Sequence, residues 1–326
     1  MKKLLYILLI FSLPFYAQKG GGKKKSEDKS PLEKVNINGL KFRSIGPALT
    51  AGRIADIAVN DNNPKEYYVA VASGGVWKTS NAGNTYQPIF DSQSSFSIGC
   101  VTIDPNNEHV VWVGTGENNN QRSVAYGDGI YKSLDGGKSW KNMGLKTSEH
   151  IGMIAVHPKN SNVVFAAAYG PLWKEGGDRG LYKTTNGGDK WELVLKVDEH
   201  TGINEIHLDP RDPSVMYATA HQRRRHVFTY VGGGPGSQIY KSTDGGENWK
   251  KLGGGLPSSI KGRIGMDISP TDPDILYALV EAEMDKQGLY KSTDRGESWK
   301  KVNSYVTSGN YYQEVFCDPL DKNNPL

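Results

Sequence analysis

Apolar positions along the chain fall into short clusters bounded by turn-forming residues, with no sustained 3.6-residue stripe, a pattern of strands rather than helices. One stretch displays the unit. An apolar strand runs from Ile98 to Ile103, Asp104-Pro105 turns the chain, a second strand covers Val110 to Gly114, a third is Gly129-Ile130-Tyr131-Lys132, and a fourth starts at Trp140. The proline turn recurs at His157-Pro158, Asp209-Pro210 and Ser269-Pro270. The third strand recurs as Val76-Trp77-Lys78, Leu181-Tyr182-Lys183, Ile239-Tyr240-Lys241 and Leu289-Tyr290-Lys291. Four short strands joined in order form one supersecondary unit, and the chain repeats it.

A box follows each third strand. Thr79 to Tyr86, Ser133 to Trp140, Thr184 to Trp191, Ser242 to Trp249 and Ser292 to Trp299 share the form [ST]-x-[DN]-x-G-x-x-[WY]. The box glycines Gly83, Gly137, Gly188, Gly246 and Gly296 stand 54, 51, 58 and 50 residues apart, a period that reads as one propeller blade per repeat. The residue types follow from the turn. A glycine takes the positive-φ position, the Asp or Asn side chain bonds turn amides, Ser or Thr adds a second local bond, and the aromatic packs on the turn and between blades. Each box acid stands alone on its hairpin, whereas a hard cation needs several converging oxygens, so these residues are structural and no metal site or cofactor is expected.

The expected fold is therefore an all-β propeller of four-stranded blades, with five full blades and the start of a sixth, an incomplete propeller or fragment occupying residues 37–326. A sixth inner strand begins around Tyr312 to Phe316 with Asp318-Pro319 opening its turn, and Leu40 to Ile45 reads as an orphan outer strand. Residues 1–17 read as a signal peptide, with Lys2 and Lys3, an apolar run from Leu4 to Leu13 and a cut after Ala17. No later segment approaches the roughly 20 apolar residues of a membrane span, which points to an exported chain in the periplasm, at the cell surface or outside the cell. Residues 18–36, with Gly20-Gly21-Gly22-Lys23-Lys24-Lys25, read as a flexible tether.

The net charge of +4 belongs to that leader and tether. Residues 1–34 hold eight lysines against three acids, leaving 31 basic and 32 acidic residues, so a nucleic-acid partner is not expected. The 39 glycines and 16 prolines suit a fold full of tight turns. Cys100 and Cys317 form no disulfide framework and read as two small buried hydrophobes, although an oxidising compartment leaves their pairing open.

From Gly52 to the end, the boxes and blade pattern resemble the Asp-box (BNR) propellers, a group that includes the sortilin amino-terminal domain, xyloglucanase-type glycoside hydrolases and sialidases. The likeness is greatest to bacterial secreted sortilin-like proteins. The resemblance implies the fold, and leaves two activities open, ligand binding and glycoside hydrolysis. Xyloglucanase-type enzymes carry a catalytic Asp two residues before a Gly-Gly-apolar-aromatic stretch. Here that stretch is Gly74-Gly75-Val76-Trp77, and Ala72 stands at the matching position. Phe42-Arg43-Ser44-Ile45-Gly46-Pro47 resembles the sialidase signature, with an insertion that breaks the match.

Function is expected at the mouth of the central channel, on the loops joining strands two to three and blade to blade. Three of these are long and polar: Gly116 to Arg122, Gly170 to Arg179 and His221 to His226. With residues near the starts of inner strands they supply an expected ligand-binding set of Arg53, Arg122, His150, Arg179, His200, His221, Arg223, Arg224, Arg225 and Arg263. The consecutive arginines 223–225 repel one another, so they are expected to be solvated, paired with an acid such as Glu281, or holding an anionic partner. A protein, peptide or glycan ligand is expected, with acidic peptides and uronic-acid glycans first. For the hydrolase alternative, two facing carboxylates are needed, with Glu117 and Asp128 as the catalytic candidates and Glu149, Asp178 and Glu281 as further ones.

Overall fold

The structure is a computed structural model that describes residues 52–325; the expected signal peptide, tether and outer strand at 40–45 lie outside the described residues. Five antiparallel four-stranded sheets follow one another along the chain, each with its strands in sequence order. Blade 1 comprises Ile54–Val59, Tyr67–Val71, Gly75–Thr79 and Gln87–Pro88, and blade 2 Ile98–Asp104, Asn107–Thr115, Ile130–Ser133 and Lys141–Gly144. Blade 3 is Ile151–His157, Asn160–Ala168, Gly180–Thr184 and Glu192–Leu195. Blade 4 is Thr201–Leu208, Met216–Gln222, Gln238–Ser242 and Lys250–Lys251, and blade 5 is Ile264–Ile268, Leu276–Val280, Gly288–Ser292 and Lys300–Asn303. The architecture is a β-propeller, as the repeat predicts. In the loop region of blade 4, Arg224–Arg225 and Tyr230–Val231 pair as an additional small hairpin.

Successive sheets stack face to face, and the apolar residues of each pair form a shared core. Tyr68, Phe90, Val101 and Val113 join blades 1 and 2, while Trp112, Ile130, Ile154 and Ala166 join blades 2 and 3. The inner strands need a small residue to come this close. A Cβ at Gly99 would collide with the Ile151 carbonyl of the next blade, one at Gly152 with Asn204, and one at Gly265 with Gln313. This Ile-Gly step at the head of an inner strand is a second repeat signature beside the box.

The box hydrogen bonds fall where the residue types require. The Ser133 hydroxyl donates to Asp135 Oδ1 at 2.8 Å, and Asp135 Oδ1 accepts the Ser139 N–H at 2.8 Å. Two successive box positions have positive φ, Gly136 at 68° and Gly137 at 90°; in the first and fifth boxes Ala82 at 57° and Arg295 at 59° fill the earlier one. In blades 1 to 4 the lysine one residue before the end of the third strand then reaches across to the next blade's turn. Lys132 Nζ donates to the Gly187 carbonyl at 3.0 Å, Lys183 to Gly245 at 2.8 Å and Lys241 to Arg295 at 2.8 Å. On the way it passes over an aromatic of its own second strand, 4.5 Å from the Trp112 ring for Lys132.

The segment expected to begin a sixth blade lies along the inner strand of blade 5. The Cys317 N–H donates to Asp267 Oδ2 at 2.7 Å, and an isolated bridge joins Cys317 to Pro325. Both cysteines are free; Cys100 is buried as expected, whereas Cys317 is only half-buried.

Candidate functional site

The chain-reversal loops at the head of the inner strands bring most of the expected residues together, in a form that composition does not suggest. The loop after the second strand of blade 2 turns inward across the channel mouth, and Glu117, Asn118, Asn119 and Asn120 are all buried. Its backbone is held from the far side of the ring. Arg263 Nη1 donates to the Asn118 carbonyl at 2.9 Å, Arg223 Nη1 to the Asn119 carbonyl at 2.9 Å, and Arg225 Nε to the Asn120 carbonyl at 2.7 Å. The Asn120 N–H donates in turn to the Asn310 carbonyl at 2.9 Å. The loop is a plug, and three arginines from blades 4 and 5 are its clamps.

Arg223 is fully buried. Its guanidinium also donates to Asn120 Oδ1 at 2.8 Å and to the Gly170 carbonyl at 3.2 Å, and it stacks 3.4 Å from the centroid of the Tyr169 ring. Burial pushes its pKa down to about 10. Arg225 covers the Tyr230 ring at 4.7 Å. Arg223 and Arg225 are thus neither solvated nor paired with Glu281, which accepts the Arg263 backbone N–H at 3.0 Å instead. Carbonyl oxygens, each a partial negative charge, relieve the repulsion within the run, and the small hairpin sends Arg224 to the opposite side from its neighbours.

Glu117 is the other anchor. Its carboxylate accepts Arg53 Nε at 2.7 Å and Arg53 Nη2 at 2.8 Å, the Tyr312 hydroxyl at 3.0 Å and the Asn119 side-chain amide. Burial works against the Arg53 charge, but Glu117 more than offsets it and the Arg53 pKa is raised. His150 is buried with Nδ1 2.8 Å from the Glu117 carbonyl; burial, then Arg223, holds its pKa well below the usual value. His221 is buried against the Tyr169 hydroxyl and 3.1 Å from the Gly232 carbonyl, and burial lowers its pKa to about 3. Arg179 is a further internal staple, donating to the carbonyls of Tyr169 at 3.0 Å and Pro171 at 2.7 Å. Arg122, at the end of the plug loop, is exposed.

The other carboxylates serve local structure. Asp128 accepts the Tyr131 hydroxyl at 2.7 Å and the Ser94 hydroxyl. Asp178 accepts the Thr147 hydroxyl at 2.7 Å, and Glu149 pairs with Lys174 at 2.6 Å.

An open cleft of about 290 Å³ remains at the rim, lined by Glu175, His200, Gln222, Arg223, Arg224, His226 and Val231. Here the basic side chains are loosely held. Arg224 Nη1 is 3.9 Å and His200 Nε2 3.8 Å from one oxygen of Glu175, and Arg224 Nε is buried without a hydrogen-bond partner. Val227 and Phe228, at 84% and 86% exposure, crown the adjoining hairpin, with Phe228 stacked on His226; Trp173 is 42% exposed on the loop that carries Glu175.

A family model described as Sortilin-Vps10 (sortilin, neurotensin receptor 3) matches residues 74–226, 128–252 and 179–324, overlapping registers of the repeat. The chain is 32% identical over 253 residues to the xyloglucanase Xgh74A of Acetivibrio thermocellus, covering 70% of this chain and 28% of that protein. To a xyloglucanase of Hypocrea jecorina it is 29% identical over 195 residues, covering 57% of this chain and 21% of the relative. The chain therefore spans less than a third of these relatives. A GH74 enzyme of Niastella koreensis superposes with a TM-score of 0.63 at 15% identity, covering 82% of this chain and 43% of that one. YCF48 bound to D1 peptide superposes with a TM-score of 0.50 at 17% identity, covering 79% and 70%. At these identities the structural likeness is one of fold.

Proposed function

Because the chain belongs to the Sortilin-Vps10 family of BNR-like propellers, we propose that it is a binding module whose ligand, a protein, peptide or glycan carrying carboxylate groups, engages the rim cleft between the loops of blades 3 and 4. One observation carries this reading: Arg224 is held at the cleft with its Nε buried and unpartnered and its guanidinium 3.9 Å from Glu175, too far for a tight pair. A ligand carboxylate supplies the acceptors that the guanidinium fork lacks, His200 adds a second donor, and the exposed Phe228 and Trp173 offer apolar faces for a side chain or sugar ring. The channel mouth itself is a poor site under this reading, since its arginines are already bonded to the plug. Export to the periplasm, cell surface or medium belongs to the same proposal.

Glycoside hydrolysis is the second reading, favoured by the 32% identity to Xgh74A. It needs two carboxylates available to a substrate. Ala72 is buried and carries none, and Glu117 already accepts four donors. A glycan array and an acidic-peptide array, probed with the wild type and with a variant carrying Arg224→Ala and His200→Ala, test the proposal. Retention of uronic-acid or acidic-peptide spots that falls with salt and disappears in the variant supports it. Reducing-sugar release from xyloglucan that is lost in Glu117→Gln would favour the hydrolase instead.

A further inference from the structure

Beneath the plug the inner strands and the segment after blade 5 line an open cavity of about 180 Å³ whose wall includes Asp56, Glu205, Asp267 and Glu314, together with Met153 and Met266. Three of these acids use one oxygen to tie neighbouring inner strands. Asp56 Oδ2 accepts the Val101 N–H at 2.9 Å, Glu205 Oε2 the Met266 N–H at 2.8 Å, and Asp267 Oδ2 the Cys317 N–H at 2.7 Å. Those bonds explain the side chains' positions and leave their charge in excess. Facing the four carboxylates are Arg263, with Nη2 4.0 Å from Glu314, and His207, 3.4 Å from Glu205 and 3.7 Å from Asp267. Burial, reinforced by Glu205 and Asp56 against the opposing pull of Arg263, pushes the Glu314 carboxyl up to about 7.

A second, separate observation concerns a neutral side chain. Asn118, on the same cavity wall, is 5% exposed with its Oδ1 buried and without a donor. Buried acceptors of this kind are costly unless a donor reaches them. A hard metal ion is not the natural occupant, since no group of three or more His, Cys, Asp or Glu among the described residues is arranged to hold one. The volume is below the roughly 300–1,000 Å³ of ordinary small-molecule sites, so the occupant is slender.

We propose that this cavity binds a primary ammonium on an alkyl chain, its three N–H groups donating to Asn118 Oδ1 and to the carboxylates of Glu205 and Glu314, with its methylenes against Met153 and Met266. An ammonium offers three donors and no acceptor, which matches a wall of acceptors, and the flexible thioethers suit a thin aliphatic stem. The chemistry is shared by free diamines and by the lysine side chain of a partner. The site uses different residues from the rim cleft, so either proposal can fail alone.

The test is calorimetric titration of the 326-residue chain with 1,5-diaminopentane, with a short acetylated peptide bearing one lysine, and with 1,5-pentanediol as the uncharged counterpart. One-site binding of at least one amine, with no binding of the diol, is expected. Glu205→Gln keeps an oxygen for the Met266 N–H and preserves the fold, and Glu314→Gln removes only the charge. Each is expected to weaken binding by about tenfold or more, the scale of a lost charge-assisted hydrogen bond, with cooperative unfolding retained and no loss of stability in Glu314→Gln. Diamine-only binding assigns a free ligand and peptide-only binding a partner's lysine. Absence of binding by both amines at millimolar concentration, equal binding of the diol, or unchanged affinity in both Gln variants would overturn the proposal.

Discussion

Replacing Arg223 by Ala separates the two jobs assigned to adjacent arginines. In the wild type its guanidinium makes hydrogen bonds of 2.9, 2.8 and 3.2 Å to the Asn119 carbonyl, Asn120 Oδ1 and the Gly170 carbonyl, and it covers the Tyr169 ring. Each bond from a charged donor is worth about 1.5–3 kcal/mol net, but burial disfavours the charge, as the pKa lowered to about 10 records. The variant regains that desolvation cost and leaves three acceptors unpartnered beside a void. The expected loss is about 3–5 kcal/mol, three buried acceptors left unpartnered at about 1–3 kcal/mol each less the desolvation regained. For a domain of this size that corresponds to a fall in Tm of roughly 6–20 °C. Arg224→Ala removes a contact of 3.9 Å at the surface and is expected to cost under about 1 kcal/mol while abolishing ligand retention. Urea unfolding of both variants, with Arg223→Lys as the control that keeps the charge and loses the planar fork, measures the difference. Equal midpoints for the two Ala variants, or an Arg223→Ala loss below about 1 kcal/mol, would refute the clamp.

Other consequences of the packing are equally open to measurement. Gly152→Ala directs a Cβ into the Asn204 backbone of the next blade, and a destabilisation of about 2 kcal/mol or more is expected in the same unfolding assay, since backbone cannot move aside as a flexible side chain can. Lys132→Met keeps the aliphatic stem but loses the bond to Gly187 and the charge over Trp112, for an expected cost of about 1–2 kcal/mol. Hydrogen bonds from Ser139 hold Asp135, and those from Asn248 hold Asp244, at about 2, below their unfolded value. Their stabilisation is present above about pH 4 and is lost as the pH falls towards 2, so carboxyl NMR titration should find both ionised at pH 3. Glu314 is shifted the other way, to about 7, so its ionisation opposes folding as pH rises from about 4.5 through 7; Glu314→Gln should gain stability relative to wild type at pH 8 and little at pH 4.

Repetition made the fold legible. Five boxes at matched offsets fix the hairpins, and the short apolar runs Ile98 to Ile103 and Val110 to Gly114, bounded by turn residues, fix the strands, because these are local consequences of turn chemistry and burial. The lysine after each third-strand aromatic stood in the same repeat, but in blades 1 to 4 its partner is a carbonyl 54 to 62 residues away in the next blade, which local spacing does not encode. The mouth was legible as a place and not as a state. Glu117 to Gln121 reads as a polar loop, and polar composition says nothing of whether carbonyls and amides face water or a ring of guanidinium groups. For the same reason three consecutive arginines suggest repulsion, while the structure resolves it with the carbonyls of Asn119, Asn120 and Gly170. The channel acids Glu205 and Asp267 sit singly on separate inner strands and Glu314 on the segment after blade 5, and only the packing of these elements side by side brings them to one cavity.

Hydrogen exchange resolved to single amides tests the sealed mouth most directly. The Asn120 N–H bonds the Asn310 carbonyl and the Arg225 N–H bonds the Leu172 carbonyl, each at 2.9 Å, while Val227 and Phe228 are exposed at the hairpin tip. The amides of Asn120 and Arg225 are expected to exchange as slowly as core strand amides such as those of Ala166 and Ala218, and those of Val227 and Phe228 to exchange fast. Exchange of the Asn118 to Asn120 amides at the rate of an ordinary surface loop would contradict the sealed mouth, and would return the arginines around the channel to the pool of free ligand-binding groups.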